Sequence, residues 1–155
     1  MPVSGLFHIA IKTADLDATI KFYSEVIGLR LAERPPLTYP GAWLAVPDGP
    51  SIIHIYAGEP AKSADGKVAS GTAAIDHVSI TASGYHDFIA SFRRHGLDWR
   101  ENKVPNTTLW QLFVYDPSGV QLELTFEGSR ETGPTPNMSD ERRYVAGISF
   151  FRPAR

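Results

Sequence analysis

Positions 8 and 77 are 69 residues apart, as are positions 54 and 123, and the occupants are His8, His77, His54 and Glu123. Two pairs of metal-binding residue types at one interval constrain the fold strongly. A chain that repeats its pattern at a fixed spacing builds one supersecondary unit twice. Other features recur at nearly the same interval. Gly28-Leu29 and Gly96-Leu97 are 68 residues apart, and two hairpin-like segments match at 68 to 69. Each of the four residues sits in a short apolar run that reads as a strand: residues 6–11, 52–56, 75–80 and 120–126.

The segments between these runs complete a shared plan. In the first half, a helix start is expected between Thr13 and Asp15, whose side chains can accept from free helix amides. Leu16, Ile20, Tyr23 and Ile27 then recur at helical spacing, and Gly28 supplies the stop. Strands follow at 29–32, 41–46 and 51–56, with the three prolines of 34–40 forcing a loop between the first two. The second half reads as a strand at 75–80 and a helix at 85–95 with Phe88, Ile89 and Phe92 inward. An extended piece at 97–100 and strands at 109–114 and 120–126 complete it, the last two joined by the turn Asp116-Pro-Ser-Gly119. The fold class is α+β: two βαβββ modules and a C-terminal extension. The module boundaries fall at 1–57 and 74–127, joined by a surface linker at 58–73 and followed by the extension at 128–155. Within the extension, 140–144 reads as a short helix and 148–152 as a strand suited to covering a sheet edge, pairing with a partner subunit or closing a pocket.

Three imidazoles and one carboxylate suit a borderline divalent metal such as zinc, nickel or ferrous iron. Equal spacing implies that each unit supplies two ligands to one centre. Burying an imidazole without a partner costs a few kcal/mol, so a mid-strand histidine among apolar neighbours needs a reason. His8 and His77 share that need at equivalent positions. Glu123 shares a strand face with Gln121 and Thr125, opposite Val120, Leu122 and Leu124. His54 has three readings: a fourth ligand, a free base beside the metal, or a group lining the pocket. His86 and His95, near the two ends of a helix, read as solvated. The chain contains no cysteine, so thiolate ligands and disulfides are excluded. A formal net charge of −2 supplies no field for nucleic acid or a membrane surface, and no apolar run is long enough to span a bilayer. The start, Met1-Pro-Val-Ser-Gly, lacks the pattern of a signal peptide, so a cytoplasmic location is expected.

The stretches HIAIKTADLDATIKFYSEVIGL, GAWLAVPDGPSIIHI, IDHVSI and QLFVYDPSGVQLEL resemble the vicinal oxygen chelate superfamily, across about residues 5 to 127. This superfamily includes glyoxalase I, fosfomycin-resistance proteins, extradiol dioxygenases and bleomycin-resistance proteins. The resemblance implies paired βαβββ modules whose curved mixed sheets form a cleft around a divalent metal, here zinc, nickel, iron or manganese. It also implies a small substrate that chelates through vicinal oxygens, and a homodimer. Carried over residue by residue, the metal positions are His8, His54, His77 and Glu123, with Glu123 or His54 as the group that moves a proton. Glyoxalase I typically has glutamate where this chain has His54. Extradiol dioxygenases carry a tyrosine where this chain has Phe113. Fosfomycin-resistance enzymes share a Tyr…Gly…Phe tail, here Tyr144, Gly147 and Phe150, but usually carry threonine where this chain has Ala10.

By strand parity, Gln111 and Phe113 share a face, and with Trp43 they are the expected walls of the substrate pocket. The expected function is a metal-dependent lyase or isomerase of glyoxalase type. Two alternatives stand beside it: a metal-free protein that sequesters a ligand, and a transferase, hydrolase or dioxygenase of the same superfamily.

Overall fold

The computed structural model describes residues 5–152 and divides into two units, Met1–Ser70 and Gly71–Arg155. The first four residues, on which the signal-peptide reading rests, and the last three of the C-terminal extension lie outside the described residues.

In the first unit, β1 (Ile9–Lys12) leads into α1 (Leu16–Lys21), which continues as a π-helical turn over Phe22–Val26. Asp15 caps α1, accepting from the amide of Ala18 at 2.9 Å. Gly28 at φ +83° lets the chain leave the helix in a left-handed turn that a residue with a Cβ rarely adopts. β2 (Arg30–Ala32), β3 (Gly41–Ala45) and β4 (Ser51–Tyr56) complete a four-stranded sheet in the order β1-β4-β3-β2, with β1 parallel to β4. Ile11, Ala42, Leu44, Ile53 and Ile55 are buried, as are Phe22, Tyr23 and Val26 of the helical segment.

The second unit repeats this plan. β5 (Val78–Thr81), α2 (Tyr85–Arg94), β6 (Trp99–Lys103), β7 (Leu109–Tyr115) and β8 (Gln121–Glu127) form a sheet of order β5-β8-β7-β6, with β5 parallel to β8. The repeat extends to register. Ile9 faces Ile53 in the first sheet, and Val78 faces Leu122 in the second, each residue 69 positions on. Alternation along β8 sends Leu122, Leu124 and Phe126 to one side and Gln121, Glu123 and Thr125 to the other. α2 covers the apolar side, with Tyr85 edge-on to Trp110 (5.3 Å) and Phe126 (5.2 Å), and Phe92 against Trp99 (6.1 Å). Phe88 is only half-buried, so Tyr85, Ile89 and Phe92 carry the buried stripe of this helix.

The two hairpins differ by one residue. Trp43 pairs with His54 across the first, eleven positions apart, and Phe113 pairs with Glu123 across the second, ten apart. A register irregularity between Leu44 and Ala45 absorbs the extra residue. Trp43 and Phe113 are therefore structural equivalents.

Four expectations need correction. Strands begin at Ile9 and Val78, so His8 and His77 stand one residue before their strands and not inside them. The apolar residues that extended those readings, Leu6, Phe7 and Ile75, are exposed in this structure. The stretch 58–73 is not featureless: it holds a 3-10 turn at Glu59–Ala61 with Ala61 fully buried, and a bridge between Lys62 and Val68. Residues 140–144 form no helix, because Glu101 draws their backbone to the sheet edge: its amide donates to Arg142 O and its carbonyl accepts from Tyr144 N, both at 2.8 Å. Residues 148–152 form no strand and instead bring Phe150 and Phe151 against Tyr115, at 4.7 and 5.2 Å.

Candidate functional site

Each unit brings together one pair of the four expected ligands. In the first, the rings of His8 and His54 are stacked with centroids 3.8 Å apart, and the Trp43 indole stacks on His54 at 4.3 Å and 6°. This column follows from register, since Trp43 is the cross-strand neighbour of His54 and Ala10, two residues after His8, is the neighbour on its other side. His54 is 7% exposed. Burial, and after it the charge of neighbouring His8, pushes the His54 pKa below its ordinary value, so the ring is neutral near pH 7 and keeps a lone pair. His8 Nδ1 is buried and finds no hydrogen-bond partner among the described residues.

The second pair is held by hydrogen bonds. Glu123 Oε1 accepts from Ser79 Oγ (2.6 Å) and Thr125 Oγ1 (2.7 Å), which leaves Oε2 facing His77 Nε2 at 3.2 Å. The other ring nitrogen, His77 Nδ1, lies 2.8 Å from Asp76 Oδ1. The bond from His77, and then one from Tyr144, holds the Asp76 carboxyl below the usual carboxylate range. Each ring nitrogen of His77 faces a carboxylate, Nδ1 at 2.8 Å and Nε2 at 3.2 Å, and an ionised carboxylate only accepts; the single proton of a neutral ring goes to the shorter contact, on Nδ1. Nε2 and Glu123 Oε2 then present lone pairs to each other. That arrangement is favourable only with a positive centre between them, either a proton or a metal ion. The partnerless Nδ1 of His8 makes a similar demand in the first unit. The donor chemistry thus fits a borderline divalent metal. Among the described residues no three histidine, aspartate or glutamate side chains form a ready metal-holding group, and the candidate set is divided two and two.

Gln111 and Phe113 share one face of β7, opposite Thr125 and Glu123 on β8. Gln111 accepts from Asn102 Nδ2 at 2.7 Å, and Trp43 is half-buried on His54. Phe113 is buried, with the Tyr144 ring stacked on it at 3.6 Å and 6° and His77 edge-on at 5.6 Å. A cavity of about 260 Å³ in the second unit is bordered by Asp76, Gln121 and Tyr144. A larger hollow of about 430 Å³, between Arg100 and the tail residues Arg143 to Arg152, contains none of the candidate ligands. Sequence reasoning missed Asp76, Ser79 and the role of Tyr144. The signal available for Asp76 was its position: the first repeat has Phe7 there, and a carboxylate directly before a candidate ligand departs from the repeat.

A family model described as Glyoxalase/Bleomycin resistance protein/Dioxygenase superfamily matches residues 5–124. A lactoylglutathione lyase from Haemophilus influenzae is 29% identical over 133 residues, covering 83% of this chain and 96% of that protein. Among solved structures, a lactoylglutathione lyase from Agrobacterium tumefaciens superposes with a TM-score of 0.61 at 19% identity, covering 85% of this chain and all of that one. A genomically encoded fosfomycin resistance protein from Listeria monocytogenes also gives a TM-score of 0.61, at 16% identity, covering 81% of this chain and 94% of that one. At such identities the structural likenesses establish the fold alone. No helix among the described residues is long and apolar enough to cross a membrane.

Proposed function

Because the chain belongs to the glyoxalase/bleomycin resistance protein/dioxygenase superfamily, we propose that it is a divalent-metal-dependent enzyme of lyase or isomerase type acting on a small substrate with vicinal oxygens. His8, His54, His77 and Glu123 would hold the metal. The observation that carries this reading is the facing pair His77 Nε2 and Glu123 Oε2, 3.2 Å apart, with the outer atoms of both groups already committed to other partners. The relative named as a lactoylglutathione lyase supports the reaction class. The histidine at position 54, where glyoxalase I typically has glutamate, argues for a different substrate.

A bound divalent metal would supply Lewis acidity toward two adjacent substrate oxygens. The chain supplies the rest. Glu123 is buried and held through one oxygen by two hydroxyls, so Oε2 is aimed. Released from the metal, Glu123 or the neutral His54 would be the base that takes a proton from substrate carbon or oxygen. Trp43 beside His54 and Phe113 beside His77 give the two ligand pairs apolar neighbours. A homodimer in the cytoplasm belongs to the same proposal.

The test is metal content per chain by elemental analysis, after purification without chelator, for wild type and for His8→Ala, His54→Ala, His77→Ala and Glu123→Ala. Near-stoichiometric metal that falls in the variants is the expected result. A wild-type protein that takes up no zinc, nickel, iron or manganese after reconstitution overturns it and leaves a ligand-sequestering protein as the better account.

A further inference from the structure

We propose that Tyr144, acting through Asp76, is a positioning residue that fixes the tautomer and direction of His77; this rests on the reading of His77 as a metal ligand. Asp76 Oδ1 gathers three donors. His77 Nδ1 lies at 2.8 Å, Tyr144 Oη donates at 2.9 Å, and Gln121 Nε2 donates at 3.3 Å. Gln121 also reaches Tyr144 Oη, at 3.4 Å. The Asp76 side chain is half-exposed, so its bond to His77 competes with water. Two further donors that arrive pre-placed hold the carboxylate in the one orientation that receives Nδ1–H, and Nε2 is thereby left as an acceptor aimed at Glu123.

Tyr144 is itself fixed from three sides. Its ring lies flat on Phe113, its amide donates to Glu101 O, and its hydroxyl is spent on Asp76. The strand edge that receives it is anchored by the buried Glu101 carboxylate, which accepts from Tyr85 Oη and the amide of Asn137, each at 2.8 Å, and from Trp99 Nε1 at 3.1 Å. The tail, beyond the residues matched by the family model, therefore carries a working part of the His77 site. The described residues of the first unit hold no such arrangement, since Phe7 stands where the second has Asp76.

The experiment uses Tyr144→Phe, which keeps the ring on Phe113 and deletes only the hydroxyl, and Asp76→Asn, with His77→Ala as the control. Two quantities are read: the tautomer of His77 from ring ¹⁵N shifts in metal-free protein, and zinc affinity by chelator competition. Wild type should carry a proton fixed on Nδ1, whether Nε2 is bare or shares a second proton with Glu123. Asp76→Asn should lose that preference and bind zinc about 10- to 100-fold more weakly. Tyr144→Phe should show a mixed population and a loss of several-fold. If His77→Ala loses zinc while both other variants keep the wild-type tautomer and affinity within twofold, the positioning role is overturned and the ligand assignment stands. If His77→Ala binds zinc as wild type does, the ligand assignment fails and the positioning role falls with it.

Discussion

His54 and Glu123 occupy the same place in two sheets of the same topology, yet their surroundings have almost nothing in common. Around His54 the contacts are faces: an indole on one side, an imidazole on the other, and a buried nitrogen on His8 with no partner among the described residues. Around Glu123 and His77 nearly every polar atom is directed by a hydroxyl, a carboxylate or an amide. A duplicated scaffold reproduces where a side chain starts, because register sets that. It leaves open how the side chain is oriented, because neighbours on adjacent strands and in the tail set that. Stacking confines a ring to a plane and lets it slide. Hydrogen bonds fix its rotation and its tautomer.

The comparison can be broken most severely at Glu101. Its carboxylate serves three donors, so Glu101→Ala leaves a buried hydroxyl, an indole N–H and a backbone amide unpaired. A loss of about 3 kcal/mol is expected, read as a lower urea midpoint at unchanged slope. Faster proteolysis within 137–144 should accompany it. A midpoint equal to wild type would show that the tail is docked by the Glu101 backbone and not by its carboxylate. In the first unit, Trp43→Ala removes the lower face of the stacked column and should cost about 2 kcal/mol, with Trp43→Phe recovering most of it. Equal destabilisation by both would mean that size rather than stacking matters there.

The pH response sharpens the contrast. His54 binds a proton less readily in the folded chain than in the unfolded one. Unfolding therefore takes up protons at this residue, and the His54 contribution to the stability of metal-free protein should be fully present above about pH 6.5 and be lost as the pH falls from there toward the lowered folded value. His54→Gln should flatten that slope. An unchanged slope would place the response elsewhere. The smallest effect is expected at Ser79. Ser79→Ala leaves Thr125 on Glu123 Oε1, so stability should stay within about 0.5 kcal/mol of wild type while zinc affinity falls about tenfold. Equal zinc affinity in the variant would show that one hydroxyl suffices to aim the carboxylate.

The sequence made the repeat legible because duplication writes the same spacing into strands, stops and turns together. Asp15 as the helix cap, Gly28 as the helix stop and the shared face of Gln121, Glu123 and Thr125 all follow from local chemistry. His8 and His77 read as mid-strand because Leu6, Phe7 and Ile75 look like strand residues, whereas strand pairing begins only after the histidines. The tail misled for a related reason. Ile148, Phe150 and Phe151 read as strand, but strands exist by pairing, and no partner edge is recorded in the local sequence. Asp76 and Tyr144 are 68 residues apart, and no local pattern could announce that they touch.

The extra residue in the first hairpin sits in the strand and not in the turn. Ala45 and Ser51 pair six positions apart, as do Tyr115 and Gln121, whereas Leu44 and Ile53 pair nine apart against eight for Val114 and Leu122. Ile52 is therefore the residue without a counterpart. A plain one-residue slip would turn every following side chain to the opposite face and put His54 on the side of Ile53 and Ile55. Taken up in a bulge, the same residue leaves the rest of the strand in phase, so His54 faces Trp43 as Glu123 faces Phe113. The irregularity is a buffer: it lets one half of the chain change length without moving its ligand.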